Sequence, residues 1–230
     1  MPREARERYD AVVFGADGVL VAPTDPDRSR LAIEKAFRTF GIDRPRREHV
    51  DALLDVAPEE LETICEVYDL EAESFWPECD RRLARAHRRA LHRGEKPLYN
   101  DVAALQSLGV DRDLLVASDH QRETIEYLLD FFGIEELFEV ASGRESGVEG
   151  LEDKKPSPHP LERALMDLGV EATRTLAVGD SNADIEAARG ANVDSAFLRR
   201  PRCAEYVLDS RPTHEITSLT ELSTLRPEVQ

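Results

Sequence analysis

The sequence predicts an α/β fold, a Rossmann-like parallel sheet core into which an α-helical unit is inserted. Three observations carry this expectation. A short apolar run, Ala11-Val12-Val13-Phe14, breaks into the glycine-bracketed stretch Gly15-Ala16-Asp17-Gly18. After Pro97, apolar strand-like runs alternate with helical patterns, the signature of βα units and hence of a parallel sheet. Between these regions the texture is helical and rich in Arg and Glu.

Residues 11–14 read as a buried first strand that delivers a loop, so a site is expected at that loop. From about Thr24 to Lys96, apolar positions recur at helical spacing, with Leu31, Phe37 and Phe40 in one segment and Leu83, Ala84, Ala90 and Leu91 in another. The expected division is therefore a core of residues 1–21 and 98–230, interrupted by a helical unit of residues 22–97. Phe75 and Trp76 in that unit are expected to pack rather than to stack on a ligand, and Arg81, Arg82, Arg88 and Arg89 to face water.

Beyond Pro97 the spacing predicts a helix over 102–108, a strand over 114–117, a helix over 122–132 and a strand over 138–141. A helix over 160–168, a strand over 175–178 and a helix over 184–190 follow, then two strands over 195–198 and 214–216. Gly109, Gly133, Gly169 and Gly190 each follow a predicted helix, where the chain often needs a left-handed residue. Residues 143–155 are polar and longer than most connections, which marks them as an active-site or mobile loop.

Composition excludes several classes of partner. There are 47 Asp and Glu against 30 Lys and Arg, a formal net charge of −17, and such a surface repels nucleic acid and anionic lipid. Only Lys35, Lys96, Lys154 and Lys155 are lysine, the remaining basic residues being arginine. Few lysines among many carboxylates predict a salt-adapted protein, because screening at molar salt, where the Debye length is roughly 3 Å, relieves repulsion among surface carboxylates. Cys65, Cys79 and Cys203 are odd in number and far apart, so free thiols are expected. The charged N-terminus has no apolar stretch behind it and no run approaches the ~18 apolar residues of a membrane span, so a cytoplasmic location is expected, with no membrane or nucleic-acid partner. Oligomeric state is not legible in these residues.

In open parallel sheets, ligands bind beyond the carboxyl ends of the strands. Asp17 follows the first predicted strand, Ser118 the second, and Gly179-Asp180-Ser181-Asn182-Ala183-Asp184 a later one, while Lys155 precedes a helix. Three carboxylates, one hydroxyl and one lysine at converging strand ends suit magnesium and a phosphate group: Asp17, Asp180 and Asp184 toward the metal, Ser118 and Lys155 toward phosphate oxygens. Each residue also has a plainer reading. Asp17-Gly18 is a common turn dipeptide, Asp180, Asp184 and Ser118 suit helix N-termini, and Lys154 competes with Lys155.

Four segments, in order, resemble the motifs of the haloacid dehalogenase superfamily, in particular its phosphoglycolate-phosphatase-like and β-phosphoglucomutase-like members. They are Phe14-Gly15-Ala16-Asp17-Gly18-Val19-Leu20, Leu115-Val116-Ala117-Ser118, Lys155-Pro156-Ser157-Pro158, and Gly179-Asp180-Ser181 through Asp184. The resemblance implies that residues 22–97 form a helical cap closing over a small phosphorylated metabolite, with Mg2+ as cofactor. It also implies a mechanism in which the first aspartate of the first motif attacks phosphorus, forms an aspartyl phosphate and ligates the metal. The second aspartate, here Asp17, protonates the leaving oxygen and later activates water. The attacking position is occupied by Gly15. Loss of a nucleophile from a cooperative constellation costs on the order of 10⁶ in turnover, so the resemblance implies a phosphatase-type hydrolase that is inactive or impaired as it stands. A pseudoenzyme that binds a phosphorylated ligand or partner, and a phosphomutase lineage, are the alternatives.

Overall fold

The computed structural model describes residues 8–227. The N-terminal residues 1–7, on which the absence of a secretory signal was judged, lie outside the described residues, as do residues 228–230 at the end of the expected core.

Six parallel strands form one sheet in the order β3-β2-β1-β4-β5-β6. They are β1 Ala11–Phe14, β2 Asp113–Gln121, β3 Val140–Arg144, β4 Thr175–Gly179, β5 Asp194–Leu198 and β6 His214–Ile216. Strand side chains alternate between faces, and the two faces bury different partners. Val12, Phe14, Leu114, Val116, Leu176 and Val178 pack with Ile125, Leu128 and Leu129 of the helix Arg122–Phe132. Ala11, Val13, Leu115, Ala117 and Ala177 pack on the opposite face with Leu161 and Leu165 of the helix His159–Leu168 and Ala187 and Ala188 of the helix Asn182–Gly190. With both faces covered, the strands must be apolar throughout, which is why β1 and β4 read as unbroken buried runs. The order places β1 between β2 and β4, so a crevice opens where successive connections leave β1 toward opposite edges.

Helices α1 Pro26–Thr39, α2 Arg47–Ala52, α3 Pro58–Val67 and α4 Ala72–His92 come between β1 and β2. Proline opens α1 and α3, where its missing N–H is not needed, and the Asp25 carboxylate accepts from the Asp27 amide at 2.9 Å to cap α1. These helices share a hydrophobic cluster of their own, built on Ile33, Phe37, Leu53, Leu61 and Phe75, all fully buried. The chain leaves the sheet and returns to it side by side: Ala22 N donates to Pro97 O and Tyr99 N to Leu20 O, both at 2.9 Å. Leu151, from the segment after β3, inserts into the same cluster, so that segment is docked on the helices.

The remaining helices are α5 Leu105–Leu108, α6 Arg122–Phe132, α7 His159–Leu168 and α8 Asn182–Gly190. Several boundaries differ from the sequence expectation. The helix expected over 102–108 is a 3₁₀ turn, Asn100–Ala104, followed by the single turn of α5; Val102, Leu105 and Leu108 still bury one face. Strand β2 runs on past residue 117 to Gln121 because it keeps pairing with β3, Ser118 opposite Gly143 and Gln121 opposite Arg144, across an irregularity. For the same reason β3 begins two residues later than expected and ends at Arg144, while Phe138 follows a 3₁₀ turn instead. Gly133 and Gly169 are left-handed caps as expected. Gly109 is not, at φ −69°, and Gly190 is the last helical residue, where a Cβ would press on the Pro158 ring at 3.2 Å; left-handed Asn192 turns the chain there instead. Cys65, Cys79 and Cys203 are buried free thiols, and no helix among the described residues is long and apolar enough to cross a membrane.

Candidate active site

Gly15, Asp17, Ser118, Lys155, Asp180 and Asp184 all line one cavity of about 390 Å³ at the carboxyl ends of β1, β2 and β4. The helices contribute Trp76, Asp80, Leu83 and His87 to its wall. Trp76 is buried in the helical cluster, as its packing role requires, and also reaches this cavity.

Strand β1 aims Gly15 into the crevice, and its amide donates to Val178 O of β4 at 3.0 Å. Nothing in the backbone demands glycine there: φ is not positive, and the nearest atoms to an added Cβ are a Val19 methyl at 3.3 Å, Val178 O at 3.7 Å and an Asp184 oxygen at 3.9 Å. Gly18 is the opposite case. At φ 76° its missing Cβ would collide with the Asp180 carboxylate, so the tight turn after β1 needs glycine in order to lie against β4.

Asp184 serves as both cap and site residue. Its Oδ2 accepts from Asp180 N at 3.2 Å, Ser181 N at 3.1 Å and Ser181 Oγ at 2.6 Å, closing a capping box at the start of α8. Its Oδ1 accepts from Lys155 Nζ at 2.7 Å. Burial opposes ionisation of Asp184, but the Lys155 ammonium and these donors hold its carboxyl below the usual range. Burial likewise disfavours the charged lysine, yet Asp184 and Asp119 raise Lys155 above its ordinary value. The Lys155 amide donates to Asp119 Oδ1 at 3.0 Å, which fixes this residue in the cavity, while Lys154 turns to Asp55 at 2.5 Å. Ser118 is buried at the irregularity of β2, its Oγ accepting from His120 N at 3.3 Å.

Asp17 forms an ion pair with the buried Lys96 and lies 3.2 Å from His120 Nε2. Burial pushes its carboxyl up, but His120, Lys96 and His87 outweigh this and hold it well below the usual carboxylate range. His87 donates or accepts with Thr24 Oγ1 at 2.8 Å, lies edge-on to His120 with ring centroids 4.3 Å apart, and is kept neutral chiefly by burial. Asp180 is engaged by the Arg202 guanidinium. Burial pushes its carboxyl up to about 6, Arg202 pulling it down and Asp184 adding to the rise.

The three carboxylates expected from sequence thus line one cavity, but each is held by a cation of its own: Asp17 by Lys96, Asp184 by Lys155, Asp180 by Arg202. Among the described residues the group whose ligand atoms approach within 4.8 Å is instead Asp17, His87 and His120, and there the Lys96 ammonium already sits on Asp17. The residues present do not fit a resident divalent cation: Gly15 brings no carboxylate, and the two carboxylates beyond β4, Asp180 and Asp184, already carry Arg202 and Lys155.

Lys96, His87, His120, Asp119 and Arg202 escaped the sequence reading. His120 and Asp119 follow Ser118 directly, and Lys96 is a lone lysine closing an arginine-rich stretch, a signal that was visible but had no partner to give it meaning. Arg202 is one arginine among many, and only its position after β5 distinguishes it.

A doubly wound sheet with carboxylates, a lysine and a serine at the mouth of β1, β2 and β4 defines a ligand-binding site at the sheet's switch point. The chain belongs to the haloacid dehalogenase-like hydrolase family, whose sequence model matches residues 12–198. It is similar to pyrophosphatase PpaX of Halalkalibacterium halodurans, 26% identical over 226 residues that cover 93% of this chain and 94% of that protein. It is also similar to phosphoglycolate phosphatase of Colwellia psychrerythraea, 37% identical over 108 residues, 45% of each chain. Among solved structures, CbbY from Rhodobacter sphaeroides in complex with xylulose-(1,5)bisphosphate shares the fold with TM-score 0.66 at 22% identity, covering 93% of this chain and 96% of that one. A HAD phosphatase from Thermococcus onnurineus does so with TM-score 0.65 at 20% identity, covering 93% and 95%.

Proposed function

We propose that this chain is a phosphatase-lineage protein that binds the phosphate group of a small phosphorylated metabolite, and that its hydrolysis through an aspartyl phosphate is impaired. The observation that carries this reading is the convergence of Lys155, Ser118, Asp17 and Asp184 on one cavity whose floor, at Gly15, has no nucleophile. Phosphate-cleaving relatives support the substrate class, and a cavity of about 390 Å³ suits a small metabolite. In this reading Lys155 and Ser118 hold phosphate oxygens, and residues 22–97 act as the cap that shapes the rest of the pocket. Asp17, kept ionised by His120 and Lys96, has no proton to donate to a leaving group. That is a second obstacle to turnover beside Gly15. The retained Asp184–Lys155 pair favours this over a protein whose site has lost its ligand altogether.

The test is hydrolysis of p-nitrophenyl phosphate in molar KCl with magnesium supplied, comparing the chain with Gly15→Asp. Turnover by the variant with none above background in the parent supports an intact lineage site missing its nucleophile. Equal turnover by the two would overturn the assignment of Gly15.

A further inference from the structure

Arg202 sits on Asp180, while the neighbouring carboxylate, Asp184, is already paired with Lys155. It lies in the 3₁₀ turn Pro201–Cys203 just after β5, and its guanidinium pairs with Asp180 at the mouth of the crevice. The same point is approached from β1: a Cβ built on Gly18 would strike the Asp180 carboxylate and stand 2.7 Å from Arg202 Nη2. Gly18, Asp180 and Arg202 therefore meet at one place, and Asp180 and Arg202 line the cavity that Gly15 also lines.

Although its side chain is about half exposed, the backbone of Arg202 is held on both sides. Arg200 is buried, donates to Val19 O at 2.7 Å and pairs with Asp101 at 2.8 Å. Cys203 is buried against Ile185 and Phe197. The turn is thus anchored to the Asp17–Gly18 loop through Val19, and the guanidinium is presented to the cavity from a fixed base.

Each of the three predicted carboxylates already has a side-chain cation. Asp17, Asp180 and Asp184 face Lys96, Arg202 and Lys155, three carboxylates against three cations. A guanidinium offers five donors in a planar fork, so one that is engaged by a carboxylate oxygen still has N–H groups to give to a phosphate oxygen. Beside Gly15 lie a Val19 methyl, a backbone carbonyl and an Asp184 oxygen, and Gly15, Lys155 and Arg202 line the same cavity.

We propose that Arg202 stands in for the divalent cation at this site, so that the chain binds a phosphate group through Arg202 and Lys155 without magnesium. This rests on the phosphate-site reading given above and adds to it the identity of the counter-ion. No bond is made or broken; the proposal concerns binding alone.

The experiment is calorimetric titration of the full chain with inorganic phosphate at one fixed KCl concentration, once with EDTA and once with magnesium, for the parent, Arg202→Gln and Arg202→Lys. The expected result is the same affinity for the parent in both buffers. Arg202→Gln should bind about 10- to 100-fold more weakly, the loss typical of one charged donor, with Arg202→Lys in between. Half-exposed Arg202 is not a core residue, and an unchanged thermal transition of each variant certifies the fold. If the parent binds only with magnesium, or Arg202→Gln binds as the parent does, the role of Arg202 is overturned while the phosphate site stands. If the parent binds in neither buffer, both readings fall.

Discussion

Arg144, at the end of β3, and Asp80, midway along α4, form a buried ion pair across 64 residues of sequence. Arg144 Nη1 donates to Asp80 Oδ2 at 3.0 Å, and Gly147 N adds a second donor to the same oxygen at 3.1 Å. Arg144 Nε meanwhile donates to Asp119 O at 3.0 Å, next to the Lys155 contact. One guanidinium thus ties the helical group, the segment after β3 and the site loop together.

Removing Asp80 leaves Arg144 buried without its partner. Asp80→Ala is expected to destabilise the protein by about 3–5 kcal/mol, the range for breaking one side of a buried pair. Urea denaturation at fixed KCl measures this; a loss below about 1 kcal/mol would show that the pair does not hold these segments together.

Asp180 gives the fold a pH dependence of known sign. Its carboxyl is raised from 3.8 to about 6, so the folded protein binds that proton more tightly than the unfolded chain does. Its contribution to stability is therefore fully present below about pH 4 and lost as pH rises through about 6. Asp180→Asn, which cannot ionise, should gain on the parent across that window by up to about 3 kcal/mol, at about 1.4 kcal/mol per pH unit. Parallel stability curves for the two proteins between pH 4 and pH 7 would contradict this.

Gly15→Asp should fold. The new Cβ needs only a few tenths of an ångström from a Val19 methyl, but the new carboxylate lies beside Asp184. We expect a loss of about 1 kcal/mol, chiefly from like-charge proximity. A cost above about 4 kcal/mol in denaturant unfolding would mean that the site does not have room for a side chain at this position.

A formal charge of −17 should make stability rise with salt. The Debye length falls from about 10 Å at 0.1 M to about 3 Å at 1 M, so repulsion among exposed carboxylates fades while buried pairs such as Asp80–Arg144 change little. The thermal midpoint is expected to climb steadily from about 0.1 M to about 2 M KCl. A flat or falling midpoint would remove salt adaptation from the description of this chain.

The apolar runs of β1 and β4, the helical period of α6 and α7 and the glycine-bracketed turns are local patterns, and each declared its element and the strand end at which Asp17, Ser118 and Asp180 would stand. Features set by tertiary packing were not local: β2 continues to Gln121 because β3 is beside it, and the last residue of α8 is glycine where a Cβ would press on Pro158. The same division holds in the site. Residue type and spacing determined that Asp17, Ser118, Lys155, Asp180 and Asp184 belong to one strand-end cluster, since a parallel sheet gathers its carboxyl ends on one side, and the family resemblance added Gly15. Which cation answers each carboxylate was decided by tertiary structure alone. Lys96 comes to Asp17 from 79 residues away, Lys155 to Asp184 from 29, and Arg202 to Asp180 from 22. Ion pairing depends on distance in space and on burial, and neither is written in the order of the chain.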